Sequence, residues 1–302
     1  MTWAVAALIS TALFAIVTIL DKRLVAHLFP SVASFNVAFG LLQIPIAIMF
    51  FAVVIPTTGF DGGSGIPWAI ATGLLWAVGL FLFFHGLRLE EVSRATPMQM
   101  LAPVWVSVIA VTFLGEELSW VQWAAILVVV AGGVAVNIRP EIGWFRIARG
   151  RAFLILLAAS VVLAVAFVLS KEATERMNVW AIQGFRAVFM GAGIVALSWR
   201  PSLNVELRTV ARDAKAMGVL FITEGIAAPI AGLMFVIAVS LGPISLVSTT
   251  TATRPLFVLS LSALLSTPAW NLLNEPLDRR TLGLKLVSTV MIVVGVAVLS
   301  LS

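Results

Sequence analysis

Apolar runs of about twenty residues, each closed by a short polar break, recur along the whole chain and constrain its fold more than any other feature. A helix rises about 1.5 Å per residue, so roughly twenty residues cross a hydrocarbon core of about 30 Å. Ten runs meet that length, near 3–20, 31–55, 66–87, 93–114, 119–137, 152–170, 178–199, 217–240, 243–266 and 281–301. The breaks carry turn chemistry: Phe29-Pro30-Ser31, the Gly-rich stretch from Thr58 to Pro67, Gly115-Glu116-Glu117 and Gly242-Pro243. None is long enough to be a second, soluble domain. The two longest connections, 138–151 and 200–216, bear arginines, are partly amphipathic and read as interfacial segments.

Composition agrees. The chain is 61% hydrophobic and 11% charged, against about 45–50% and about 25% in soluble domains. A soluble core cannot hide that much apolar surface, so lipid must cover the outside. The net charge of +5 is small; basic loops facing a cytoplasm account for it, and no nucleic-acid partner is expected. With no cysteine, disulfides and thiol chemistry are excluded. The two histidines, His27 and His85, are far apart. No metal-ligand cluster, paired catalytic carboxylates, Ser/Lys dyad or nucleotide-binding motif is visible. No catalytic residue, metal or cofactor is therefore expected, with proton coupling left open. The first run lacks a basic leader and a cleavage site, and is read as a retained span.

The chain also repeats itself. Phe35-Asn36 resembles Phe185-Arg186, and Leu20-Asp21-Lys22 resembles Leu169-Ser170-Lys171. Ser93 to Trp105 parallels Ser245 to Phe257, with Pro103 over Pro255. Gly115 to Leu118 parallels Asn274 to Leu277, and Gly133 to Val136 parallels Gly295 to Val298. Five matches in one order, at offsets of 149 to 162, argue for two related halves. Because each half has an odd number of spans, the second enters the membrane from the opposite side. Inverted repeats of this kind recur in secondary transporters, with the solute site between them near the midplane.

The segment Gly86 to Asn137 resembles the first repeat of EamA-type transporters, in the drug/metabolite transporter superfamily. The residues that carry the resemblance are Ser93, Pro103, Gly115-Glu116-Glu117-Leu118, Gln122-Trp123 and Gly132-Gly133. The second half departs from it: Asn274 replaces the Gly, seven extra residues precede Glu275, and no Gln-Trp comes after. The resemblance implies an all-α polytopic membrane protein with ten transmembrane helices as two inverted five-helix repeats. The first would span residues 1–138 and the second 152–302, joined by an interfacial connection at 139–151. It implies a transporter and not an enzyme, and leaves the substrate open.

Fifteen of the nineteen Lys and Arg residues fall in the connections after the first, third, fifth, seventh and ninth spans. Only Lys171 and Arg176 lie on the other side, and Arg186 and Arg254 lie inside spans. The positive-inside rule then puts both termini outside the cytoplasm of a bacterial inner membrane, although ten-helix relatives resemble proteins with both termini inside.

Charges at membrane depth cost about 2.5–3.5 kcal/mol each on insertion scales, so each needs a reason. Arg254 lies deepest, within Thr249-Thr250-Thr251-Ala252-Thr253-Arg254-Pro255. One reading is a cationic site for a carboxylate or phosphate, with Thr250 and Thr253 contributing hydroxyls. The other is an arginine paired with Glu224 or capped by carbonyls, its threonines bonded back to their own helix. Glu224 is either a proton-exchanging carboxylate or a fixed counter-ion of Arg254 or Arg186. Arg186 and its repeat-mate Asn36 line a cavity if they face inward; snorkelling and interhelical hydrogen bonding are the alternatives. Thr96, Pro97, Gln99 and Pro103 on the fourth span answer Pro255 on the ninth, as binding residues and kinks that gate a site. Trp76, His85 and Trp105 are candidates for an aromatic wall. Glu116 and Glu275 are expected to cap the next helix in the chain. Small residues at Gly73 to Ala77, Gly191 to Gly193 and Gly132-Gly133 fit close helix contacts.

The function expected is a secondary-active exporter of a small metabolite, such as an amino acid or related organic solute, working by alternating access as a monomer or homodimer. A flippase for lipids or lipid-linked carriers on the same fold is the alternative; a passive channel or a membrane-embedded enzyme fits less well.

Overall fold

The computed structural model describes residues 2–57, 63–89, 101–137, 151–254, 256–258, 261 and 279–301, and among these every regular element is helical. Among the described residues, six helical stretches are long and apolar enough to cross a bilayer: Trp3–Asp21, Val32–Thr57, Gly63–Gly86, Phe153–Thr174, Val179–Ser198 and Ala214–Leu241. Within the other four expected spans, the described residues hold shorter apolar helices at Ala102–Leu114, Trp120–Gly132 and Val290–Leu299, and a helix at Ile244–Thr251.

The helices are α1 (Trp3–Arg23), α2 (Val32–Thr57), α3 (Ile66–Leu89), α4 (Ala102–Ile109), α5 (Trp120–Asn137), α6 (Arg151–Thr174) and α7 (Val179–Ser198). After them come α8 (Leu203–Ala211), α9 (Ala214–Leu220), α10 (Ala228–Leu241), α11 (Ile244–Thr251) and α12 (Arg279–Leu301). Wider π turns continue α1 over Leu24–Leu28 and α4 over Ala110–Leu114, and join α9 to α10 over Phe221–Ala227. The first apolar span ends at Asp21, close to the expected residue 20, and its helix runs on to Arg23.

Glycine decides which helices come closest. A Cβ on Gly40 of α2 would stand 2.8 Å from the Gly191 carbonyl, and one on Gly191 of α7 would stand 2.7 Å from the Gly40 carbonyl. Neither position tolerates a side chain, so the two backbones touch. On the other face of α7, Gly193 meets Ala77 of α3. Gly132 of α5 and Gly295 of α12 each approach a carbonyl of the other helix, at Ser288 and Ala125. Such small-residue contacts drive helix association where lipid removes the hydrophobic incentive. α3 also packs on α6, α1 on α10, and α4 on α11.

The Gly115-Glu116 motif is a clamp. Gly115 takes a left-handed φ of 67° and ends the π turn after α4, with the Glu116 amide returning to the Ala110 carbonyl. That reversal sends the Glu116 carboxylate to the start of α11. There it accepts from the amides of Ile244 (2.7 Å) and Ser245 (3.3 Å) and from the Ser245 hydroxyl (2.5 Å). Glu116 therefore caps a helix 128 positions away, not the next one in the chain. Helix α5 is capped reciprocally by Ser119 and Gln122. At the other side of the same turn, Lys171 donates to the carbonyls of Val239 (3.2 Å) and Gly242 (3.3 Å), closing α10. Trp3, Met177 and Arg176, the last stacked over Trp68 at 5.3 Å, belong to this end of the bundle.

The opposite end holds the π turn Leu24–Leu28, Phe29, Phe35, Phe84, Val210 and Leu220 in one apolar cluster. Within connection 200–216, α8 buries Leu203 and Val210 and half-buries Glu206 and Leu207, and Ser31 donates to its Glu206. Connection 138–151, apart from Arg151, lies outside the described residues, as does Glu275.

Candidate functional site

Among the described residues, buried ionisable side chains gather in two groups inside the bundle. The first gathers α1, the π turn before α10, and the segment after α11. Phe14 and Asp21 are seven residues apart on α1, hence on nearly one face and about 10 Å apart along the axis. Ser10, one turn before Phe14, donates to the Ala231 carbonyl at 2.8 Å and fixes α1 along α10. Glu224 projects from the π turn and is 4% exposed. Its carboxyl lies close enough to that of Asp21 for the two to interact. Two carboxylates this close repel each other when both are ionised, and a single proton held between them relieves that repulsion. The Oδ1 atom of Asp21 is buried without a partner. Arg254 faces the same place: its guanidinium lies 5.0 Å from the Phe14 ring centre and within the electrostatic reach of Asp21, and its Nε is buried and unbonded. With one proton on the acid pair, the three groups are together neutral, which is the charge state a low-dielectric interior favours.

The second group centres on Arg186 of α7. It is 8% exposed, so it does not snorkel to a surface. Its guanidinium stacks on the Trp76 ring of α3 at 5.4 Å, and its Nη2 lies against Gly232 of α10. Gln183, one turn earlier on α7, is 1% exposed, and neither end of its amide is bonded. The indole N–H of Trp76 is buried and unbonded as well.

The remaining candidates are distributed more widely. Thr250 and Thr253 are buried and donate to the carbonyls of Leu246 (3.0 Å) and Thr250 (2.8 Å), so their protons serve their own segment. Asn36 donates to the Ser198 hydroxyl at 3.1 Å, and its Oδ1 is buried and unbonded. Ser198 is twelve residues beyond Arg186, about 18 Å along α7, so the structure does not bring Asn36 and Arg186 together. Trp105 of α4 packs against the main apolar core with its indole N–H unbonded. His85 is exposed, bonded to the Phe81 carbonyl at 2.8 Å, with its ring tilted against that of Phe81. Pro103 stands in the first turn of α4, where a missing N–H costs no helical bond. Thr96, Pro97, Gln99 and Pro255 lie outside the described residues.

Sequence reasoning missed Asp21 and Gln183. Asp21 sits beside Lys22 and Arg23 and so reads as the polar end of a span. Its repeat-mate Ser170, which is buried in α6, was the available signal. Gln183 is uncharged, yet stands three residues before Arg186 and thus on the same helix face.

Six helices long and apolar enough to cross a bilayer make this an integral membrane protein, and its similarity to known proteins points to transporters. Residues 1–138 match the model of the EamA-like transporter family. An uncharacterized transporter encoded in the cobO 3′ region of a Sinorhizobium species is 26% identical over 147 residues, covering 45% of this chain and 97% of the relative. A solved crystal structure, described only as that of a protein, is similar over 99% of this chain and 96% of its own. Its TM-score is 0.69 at 19% identity, which shows a shared fold. The resemblance to EamA-type transporters read from Gly86 to Asn137 is borne out by the family match over residues 1–138 and by the relative described as a transporter.

Proposed function

We propose that the protein is a proton-coupled secondary exporter of a small organic metabolite, working by alternating access around a cavity near the bilayer midplane. The observation that carries the reading is the Asp21–Glu224 pair facing Arg254. Intramembrane ionisable groups are costly and mark ion or substrate pathways. This set is neutral with one shared proton and carries a net negative charge without it. Releasing the proton to one side and regaining it from the other would change the charge that the bundle must hold in each conformation.

The ten-span, inverted-repeat organisation, with halves at 1–138 and 152–302, is part of this reading. Its support is the pairing of helices between the halves: α2 with α7, α5 with α12, α4 with α11, and α1 with α10 where α3 meets α6. Each pairing is its own partner or exchanges with another under a two-fold rotation. The reciprocal Gly40–Gly191 contact fits such an axis. The Lys/Arg distribution favours both termini outside the cytoplasm of an inner membrane, with Trp3, Lys171 and Arg176 at the outer end.

The test is uptake into proteoliposomes under an imposed pH gradient, using a panel of organic acids, amino acids and amines. The reading expects at least one solute to be driven by the gradient in the wild type, and that drive to be lost in Glu224→Gln and Asp21→Asn. Gradient-driven flux that is unchanged in both variants refutes the coupling assignment.

A further inference from the structure

We infer that Arg186, Gln183 and Trp76 form a binding site for the oxyanion group of a singly charged organic acid. The inference deepens the proposed function by naming the chemistry of its cargo, and rests on the reading of the chain as a small-solute carrier.

Unpaired donors mark the site. The ion pairs among the described residues are Lys171–Glu175 and Arg176–Glu172, and Arg186 is in neither. It makes no hydrogen bond to another described group; its guanidinium has the Trp76 ring on one side and the Gly232 backbone on another. The Trp76 Nε1–H has no acceptor, and the Gln183 amide has no partner at either end. The Gln183 Nε2 and the Arg186 Nη2 lie against the same glycine: a Cβ on Gly232 would stand 3.0 Å from the first and 2.2 Å from the second. Guanidinium and indole N–H groups only donate. Buried polar groups are almost always bonded, so donors left open together call for an acceptor from outside the chain. The 8% of Arg186 that stays accessible leaves it a face to offer.

Geometry and charge narrow the ligand. A guanidinium fork matches the two oxygens of a carboxylate, and such charge-assisted bonds are strong in a low dielectric. One cation balances one negative charge; a dianion would leave a charge uncompensated in the bundle. None of Trp76, Gln183 and Gly232 is an acid that could receive an ammonium beside that carboxylate. The acidic pair at Asp21 and Glu224 belongs to the other group, partnered by Arg254. Hydroxy-, keto- and simple carboxylic acids therefore fit better than the amino acids that the sequence suggested. An anionic lipid headgroup offers the same monoanionic oxygens from a second source.

The test uses the full chain in nanodiscs, with thermal unfolding as readout. The probes are benzoate and 3-phenylpropionate, methyl 3-phenylpropionate and phenylalanine as neutral and zwitterionic controls, and short-chain phosphatidylglycerol for the headgroup. At least one anion is expected to raise the melting temperature, with ester and zwitterion weaker. Response to the lipid alone keeps the anion site and assigns it to a headgroup. Losing the charge-assisted bonds in Arg186→Gln should weaken anion binding roughly 10- to 100-fold. Should that variant not fold, Gln183→Glu decides: it keeps Arg186 and gives it an internal counter-ion. It should be at least as stable as wild type without ligand, and lose the anion response by a similar factor. No anion effect on the wild type, or an equal effect on Gln183→Glu, overturns the inference. If pH-driven flux of another solute still depends on Glu224 in that case, the proposed function stands and the anion site alone falls.

Discussion

Truncating Glu116 should detach the start of α11 from the turn after α4, and its bonds set the size of the effect. The carboxylate accepts three hydrogen bonds from Ile244 and Ser245 and sits at a helix N-terminus. Bonds to a charged group are worth about 1.5–3 kcal/mol each when buried, and an N-terminal cap about 1 kcal/mol. Glu116 is only partly buried, so the three bonds together are worth less than their separate maxima, and Glu116→Ala should cost about 2–4 kcal/mol. Glu116→Gln keeps one carbonyl acceptor and the shape, and should lose about half of that. Ser245→Ala alone removes one bond, about 1 kcal/mol. Because the Ser245 hydroxyl acts through Glu116, its effect should vanish in the Glu116→Ala background. Urea or thermal unfolding of the four proteins in one nanodisc preparation reads this cycle. Additive losses, or a Glu116→Ala protein as stable as wild type, would refute the clamp.

The same packing sets the outcome of other substitutions. Lys171→Met should destabilise the protein by about 1–2 kcal/mol, because the Val239 and Gly242 carbonyls at the end of α10 lose a charged donor; thermal unfolding measures it. Gly40→Ala or Gly191→Ala should cost about 1–3 kcal/mol or more, since each Cβ meets a carbonyl under 3 Å away. Cross-linking yield between cysteines placed at the α2–α7 contact should fall in parallel. Asn36→Leu loses the Ser198 bond and should cost only about 0.6 kcal/mol, the scale of membrane hydrogen bonds. It should leave solute flux unchanged, because its partner Ser198 lies twelve residues, about 18 Å, along α7 from Arg186.

What could be read from sequence was what depends on composition over a window or on charge in an apolar run. Arg186, Glu224 and Arg254 stand out because their cost in lipid is large and local. Asp21 did not, because a carboxylate beside Lys22 and Arg23 reads as a helix end until its partner on another span is known. The reach of Glu116 was hidden for the same reason: a cap is recognised by the helix adjacent to it in sequence, and this one serves a helix 128 residues on. Gln183 carries no charge to flag it; only its empty bonds in the folded bundle mark it. The threonines before Arg254 show the reverse. Their abundance suggested ligand contacts, while the fold spends their protons on their own carbonyls.

In the proposed function, one proton held between Asp21 and Glu224 couples solute movement to the pH gradient. The most direct measurement compares exchange with net transport of one solute in proteoliposomes carrying wild type or Glu224→Gln. Exchange needs the carrier to reorient only with solute bound, whereas gradient-driven accumulation also needs the proton to leave. Glu224→Gln is expected to keep exchange and lose accumulation. Loss of both in a folded protein, or retention of both, would contradict it.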